Sequence, residues 1–514
     1  MCIVYLITSK MFSKFTRKTR CLLWTAIVGG FLTVFSLVFA LVILPVIIDA
    51  VLSDYLVLKE GTEAWDRFME LPFPMDFNIY FFEVTNPDEV KIGAKPSVKQ
   101  VGPFIYKNYR KKRDVEILDD EHVSYYTVQT FEYDYERSEL SDEDEVDVLN
   151  FLAIGLFQIL ENAIIDFEYK IEGLLPHVIG DSDLLFHKMK VKDFLFEGTA
   201  FCDPTETYLP AKLICLVVML LNLKMVNYND DLTMTYSLFG WKQNATDGKF
   251  VVNTGELDIM KLGQIQTWND MKYTQTWKGE ESDCNKVSGY DIAVFAPNME
   301  EGQNFDIYST DICRTMTMNY MEKSKFRDVN VYKYGFNKNT WRTTNCSPEE
   351  SCFCSDYTRG LDGEKSCFMD GVQDVYPCLG IPGLASFPHF LHADEKYSST
   401  VDHLHPNEDE HGSYLKMEPL TAAPLEGWIS LQISLITRPI KLGGNMVEMT
   451  EHLNNTAMPL LWLQQGVTIT DEYYDIIDSA MTLLLVADIL KWVFVLISGL
   501  VFMFAASKLL LGTT

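Results

Sequence analysis

No aspartate or glutamate precedes Asp49, and none follows Asp488. The acids missing from the two ends are concentrated between them. All 72 Asp and Glu lie in 49–488, whereas seven of the 43 Lys and Arg lie outside it. The middle is therefore more acidic than the chain's formal net charge of −29. Such a body argues against binding nucleic acid or an anionic membrane surface, each of which calls for a basic face. Enzymatic signatures are also scarce. There is no G-x-S-x-G, no Walker phosphate loop and no H-E-x-x-H, and Gly360 to Ser366 lacks the glycine spacing of a phosphate loop. Of the nine histidines, five gather at His389, His392, His403, His405 and His411, with Glu408 and Glu410 beside them. A metal site or an ectoenzyme's acid–base group is one use for such a cluster; loop and surface histidines are the plainer one. We expect no catalytic residue, no metal and no cofactor. No period of 20–50 residues repeats and no long Gly/Ser or Pro linker occurs, so the acidic middle reads as one domain.

The acid-free ends are also the greasy ends. Cys21 to Ile48 is 28 residues without a charge, enough to cross a hydrocarbon core of about 30 Å at about 1.5 Å per residue. Lys10, Lys14, Arg17, Lys18 and Arg20 precede it, the mark of a cytoplasmic flank. A signal peptide has an apolar core about half as long, followed by a small-residue cleavage site that is missing here. The second run is Ile489 to Leu511, where Lys491 and Lys508 can snorkel to the headgroups. We therefore expect a cytoplasmic tail at 1–20, a transmembrane helix at 21–48, an extracellular body at 49–488, a second transmembrane helix at 489–511 and a cytoplasmic tail at 512–514, in the plasma membrane. Cys21, at the membrane edge beside basic residues, is a candidate for palmitoylation or an ordinary membrane-facing cysteine.

Cys284, Cys313, Cys346, Cys352, Cys354, Cys367 and Cys378 crowd into one stretch with no C-x-x-C among them. Zinc knuckles need that short spacing, so a disulfide framework in an oxidising compartment is the better reading. Acceptors for N-glycosylation stand at Asn244, Asn345 and Asn454, all in the outer body. Strands are expected at Phe77 to Val84, Val123 to Tyr135, Lys249 to Asn253 and Ile429 to Ile436, where aromatic and β-branched residues alternate with polar ones. Asn86-Pro87 and Gly102-Pro103 read as turns. Glu139 to Asp147 reads as a solvated acidic loop. Helices are expected at Val146 to Phe167, with leucines at spacings of three and four, and at Leu209 to Val226, with Pro210 in its first turn.

Several separated segments then resemble a known family. Leu71-Pro-Phe-Pro-Met-Asp-Phe-Asn-Ile-Tyr80, Val101-Gly-Pro-Phe-Ile-Tyr106, the cysteine stretch, Ser386-Phe-Pro-His-Phe390 and His405-Pro-Asn-Glu-Asp-Glu-His411 are similar to the class B scavenger receptors. The resemblance runs from the first apolar run to the second. Val191 to Gly198, followed by Cys202, Cys215 and Ser237 to Gly248, resembles the insect sensory neuron membrane protein branch. The resemblance implies a membrane-anchored α+β protein: an antiparallel β-barrel-like ectodomain with a helical apex bundle and an internal apolar tunnel, flanked by two transmembrane helices. It implies disulfides Cys284–Cys352, Cys313–Cys378 and Cys354–Cys367. Cys202–Cys215 is the added pair, and two buried free thiols are the alternative there. Cys346 has no counterpart and is left over, and the segment before Met11 also has none, so Met11 is a possible start. The implied role is a non-enzymatic receptor for lipid-like ligands, fatty-acid-derived odorants or pheromones. Its partners would be membrane lipid, an odorant receptor and a soluble carrier protein. One rival is a scavenging or adhesion receptor for lipoproteins, microbes or apoptotic cells, for which Lys188, Lys190 and Lys192 are the nearest basic cluster. The other is an ectoenzyme built on the histidines.

Overall fold

The computed structural model describes residues 17–162, 175–180, 185–231, 233–291, 293–342, 350–355, 358–442 and 445–511. The chain forms two compact units, one from the segments up to Leu56 and from Thr470 onward, the other from Val57–Ile469. The first unit is a pair of helices, each long and apolar enough to cross a membrane: Thr19–Leu56 and Asp471–Leu511. Both outrun the uncharged stretches, since nothing in their flanks breaks a helix. The first passes through one π-helical turn, Phe39–Ile43, immediately before Pro45. Proline lacks an N–H and its ring crowds the carbonyl one turn earlier, and a wider turn relieves both faults. Small residues let the two helices touch. A Cβ on Gly29 would sit 3.1 Å from the backbone of Phe502, one on Gly30 3.2 Å from its ring, and Ser36 Oγ meets Ser498 Oγ at 3.2 Å.

The second unit is built on a 13-stranded sheet whose ladders are all antiparallel. Its path runs Ile265–Trp268, Thr246–Asn253, His122–Tyr133, Val98–Ile117, Met75–Val84, Thr456–Thr468, Pro424–Thr437, Tyr414–Met417, Val329–Gly335, Arg314–Phe326 and Phe305–Ser309, with Leu384–Ser386 and Val372–Asp374 branching from Pro424–Thr437. The path does not close as a ladder. Its ends come together through isolated bridges that Tyr290 makes to Gln264, antiparallel, and to Ile307, parallel, and through the rings of Trp268 and Tyr308, 5.7 Å apart between centroids. The unit is a mixed α+β fold around a large antiparallel sheet.

Four sequence expectations are corrected here. Gly102-Pro103 is no turn; it lies inside the Val98–Ile117 strand, opposite a register shift between Ile79 and Phe81. A Cβ on Gly102 would meet Ile79 O at 2.6 Å, and its φ of 137° also favours glycine. The expected helix from Val146 begins as a strand, Glu145–Leu149, paired with Phe186–Lys190; the helix is Phe151–Asn162, and 163–167 fall outside the described residues. Asn150 starts that helix, accepting from Ala153 N at 3.0 Å. The expected solvated acidic loop therefore contributes Glu145 to Asp147 to a strand, and its Asp142 is buried. The second helix stops at Leu221 rather than Val226, because Asn222 turns left-handed (φ 47°), and Val226–Tyr228 is a strand.

Candidate functional site

The sheet's inner face grades from apolar to charged. Along Val98–Ile117, Phe104, Tyr106, Asn108, Arg110 and Lys112 share one parity, and all but half-buried Arg110 are buried. Neighbouring strands continue the pattern: Gln129 stands opposite Arg110 and Thr127 opposite Lys112. Over the charged end lies a cavity of about 150 Å³. Its lining includes the apolar Ile429, Leu431, Leu463, Met316 and Phe336 and the charged Arg110, Lys112, Lys242, Asp247, Asp291 and Asp311. The lining of this cavity is mixed, because inward-facing positions of the Val98–Ile117 strand are ionisable and pair with residues distant in sequence.

Those partners define the electrostatics. Lys112 Nζ lies 2.7 Å from Asp291 Oδ2 and 3.0 Å from Thr127 Oγ1, and 3.9 Å above the Tyr125 ring centroid. Tyr125 also donates to Asp291, and Ala293 N donates to its other oxygen at 3.0 Å. Burial alone would raise the Asp291 carboxyl. The Lys112 ammonium and the donors around it outweigh that and hold it below its usual range. Lys242 pairs with Asp311. Gln129 Nε2 donates to Asp247, whose carboxyl burial pushes up against the pull of Lys242. Asn108 Nδ2 donates to Gln129 Oε1 at 3.0 Å.

None of these six charged residues stood out in the sequence reading. The run Lys107-Asn-Tyr-Arg-Lys-Lys-Arg113 looks like an exposed basic patch. Its parity was the available signal: counting by twos from Phe104 puts Asn108, Arg110 and Lys112 on the inner face.

The histidine cluster is split: His392, His403 and His405 are exposed as expected, and the other two are packed inside. His389 and His411 are buried and their rings stack with centroids 4.3 Å apart. His389 Nδ1 accepts from His405 N at 3.1 Å, so its Nε2 carries the proton and donates to Gln100 Oε1 at 2.9 Å. Burial, with His411 and His405 adding to it, pulls the His389 imidazole down to about 3. His411 Nδ1 accepts from Asn407 N at 3.0 Å, and His392 pairs with Glu408 at 2.7 Å. His403 Nδ1 meets Ser97 Oγ at 2.9 Å, and Glu410 lines the same open pocket. Among the described residues no group of three or more His, Cys, Asp or Glu is placed to hold a metal ion.

The remaining expected residues fall as follows. Disulfides join Cys202 to Cys215, Cys284 to Cys352, Cys313 to Cys378 and Cys354 to Cys367. Cys21 is an exposed free thiol. Cys346 and Asn345 lie outside the described residues. Asn244 and Asn454 are exposed; Asn244 Oδ1 accepts from Thr130 Oγ1 and Asn454 Nδ2 donates to Gly93 O. Lys188 is exposed, but Lys190 and Lys192 both pair with Glu143, at 2.9 and 2.6 Å, which offsets the basic patch an anionic ligand would need.

The chain thus combines a large antiparallel sheet lining a cavity with two terminal segments that are each a helix long and apolar enough to cross a membrane. The sequence pattern of the CD36 family matches residues 27–509, and the chain belongs to that family. Among its relatives is sensory neuron membrane protein 2 of Anopheles gambiae, 27% identical, with 93% of this chain and 91% of the relative covered. Sensory neuron membrane protein 1 of Apis mellifera is 29% identical, covering 92% and 88%. Sensory neuron membrane protein 2 of Drosophila melanogaster is 26% identical, covering 84% and 86%.

Proposed function

We propose that the chain is a two-span cell-surface receptor of an insect sensory system, which captures lipid-like molecules outside the cell and passes them to the bilayer or a neighbouring odorant receptor. Fatty-acid-derived odorants or pheromones, offered by a soluble carrier protein, are the ligand class we favour. The observation that carries this reading is the interior cavity with its aliphatic wall. Transfer of a chain from water onto such a wall gains about 0.8 kcal/mol per buried CH₂, so few polar contacts are needed. The Leu209–Leu221 helix supports it. Ala211, Ile214 and Val218 are buried beneath it, yet Leu209, Leu213, Leu216 and Leu220 are 66%, 51%, 47% and 76% exposed. A helix apolar on both faces suits a surface that meets greasy ligands. We read the sheet, with its end strands meeting at Tyr290, as a barrel-like container with a tunnel towards the membrane. No bond is made or broken; transport needs a path, not catalytic groups.

Topology is tested with epitope tags. Tags at either terminus should be reached by antibody only after permeabilisation, and glycosidase should lower the apparent mass; a C-terminal tag stained on intact cells overturns the two-span reading. Function is tested by uptake. Cells displaying the chain should take up a fluorescent long-chain fatty ester faster than control cells, and Leu431→Arg should slow uptake at equal surface level, since an unpaired charge on an apolar wall is costly. Equal uptake with and without the chain, across ligand chain lengths, would favour a receptor that binds and does not transport.

A further inference from the structure

We propose that the N-glycan carried on Asn244 is seated on the ring of Tyr109, its first sugar lying flat on the outer face of the Val98–Ile117 and His122–Tyr133 strands. This rests on the extracellular reading above, since such a sugar is added only to chain exposed on that side of the membrane.

Strand register brings the two residues together. Lys112 and Asn108 face inward, so by alternation Tyr109 faces out. Tyr109 stands directly opposite Thr130 in the ladder, and Thr130 Oγ1 donates to Asn244 Oδ1 at 3.0 Å. Opposed residues of a ladder keep their Cβ atoms about 4.5–5.5 Å apart. The Asn244 amide is therefore one sugar's reach from the ring. The root of the glycan is also held in place. Asn244 N donates to Gln129 O at 2.8 Å, and the side chain of Gln243 bonds both the amide and the carbonyl of Phe131, at 2.8 and 3.1 Å. Asn244 takes a φ of 55°, a left-handed conformation that asparagine tolerates better than most residues.

Two groups here have no role in the bare polypeptide. Tyr109 is 40% exposed, and its ring stacks on no other among the described residues. Asn244 Nδ2, the atom that carries the sugar, makes no hydrogen bond among the described residues, because Oδ1 is the atom tied to Thr130. Thr246, which completes the acceptor, is exposed. Asn454 differs on both counts: its Nδ2 donates to Gly93 O at 2.7 Å, and Thr456 is buried. The chemistry of the sugar fits the ring. One face of an N-acetylglucosamine presents axial C–H groups, which meet the negative face of an aromatic ring favourably while the hydroxyls stay in water. A sugar tethered next to the ring is also present at a high effective concentration, so it occupies the ring ahead of any free partner. Lying there, the glycan keeps other proteins off this face of the sheet.

The test times sugar release by peptide N-glycosidase from the full chain, made with high-mannose glycans and held in phosphatidylcholine nanodiscs. Mass spectrometry reads each site as conversion of Asn to Asp, in native and in denatured protein. Tyr109→Ala should speed native release at Asn244 by about fivefold, the retardation that one aromatic contact supplies, and leave the denatured rate unchanged. Tyr109→Phe keeps the ring and should match the parent within about twofold. Release at Asn454 should respond to neither change and serves as the internal control. As a second measurement, Tyr109→Ala should lower the denaturant midpoint of the glycosylated chain and leave that of an Asn244→Gln chain where it was. Equal native rates at Asn244 in the parent and Tyr109→Ala overturn the seat and leave the extracellular reading standing. So does an Asn244 bare of sugar while Asn454 carries it. Sugar on none of the three acceptors overturns both.

Discussion

Replacing Asp291 by asparagine is expected to cost about 3–5 kcal/mol of folding stability, with matching loss of surface protein. The substitution leaves Lys112, 7% exposed, beside Tyr125 and Phe68 with no carboxylate within reach of its ammonium. Lys112→Met should be damaging too, because Asp291, 8% exposed, would keep its charge with Tyr125 and one amide as donors. The double change Lys112→Met with Asp291→Leu should recover much of the loss, since it removes both charges rather than stranding one. Acid should act in the same direction. The folded carboxyl titrates below its ordinary value of 3.8, so its contribution is present above that value and is lost as pH falls through the folded one. Denaturant midpoints of the purified protein check all three variants. An Asp291→Asn protein as stable as its parent would mean that the pair contributes nothing to the fold.

The second large effect is expected from the long disulfides. Cys284–Cys352 and Cys313–Cys378 close loops with sequence separations of 68 and 65, against 13 for Cys354–Cys367 and Cys202–Cys215. The chain-entropy relation gives about 4.4 kcal/mol for each long loop and about 2.9 kcal/mol for each short one. Cys284→Ala or Cys313→Ala should therefore cause retention inside the cell, Cys354→Ala a milder loss, and Cys346→Ala little change. Burial sharpens the contrast: Cys284, Cys352, Cys313 and Cys378 are all buried, so either lost bridge also leaves a thiol in the core. Peptide mapping without reduction reads the pairing directly. Cys346 found bridged to Cys352 or Cys354 would overturn this assignment.

The two long apolar helices were the easiest part to read, because the length of an uncharged run carries them without tertiary information. Strand cores were legible from alternation, and the Pro424–Thr437 and Met75–Val84 strands extend the expected runs by a few residues at most. Where two periods overlapped, the reading failed. Leu149, Leu152 and Leu156 fit a helical stripe, but Val146 and Val148 also alternate, and a partner strand at Phe186–Lys190 decided the matter. The cavity was hidden for a different reason. Lys112 and Asp291 are 179 residues apart, so nothing local announces that an apparently solvated lysine has a buried counter-charge. His389 and His411 read most plainly as loop or surface histidines and are buried instead, since burial cannot be seen in a histidine-rich segment.

The ladder between Met75–Val84 and Thr456–Thr468 has a consequence for how the chain is made. Phe77 is registered against Gln465, so one of the first strands to emerge waits for one of the last. At about 5–20 residues per second, that wait is roughly 20–80 s, during which Met75–Val84 shows a bare row of amides and carbonyls to every other nascent chain. The Thr456–Thr468 strand sits between Met75–Val84 and Pro424–Thr437, in the middle of the sheet. A premature stop ahead of Thr456 therefore takes out the centre and leaves two open edges facing a gap. Truncated products of this gene should be insoluble and quickly degraded rather than partly functional.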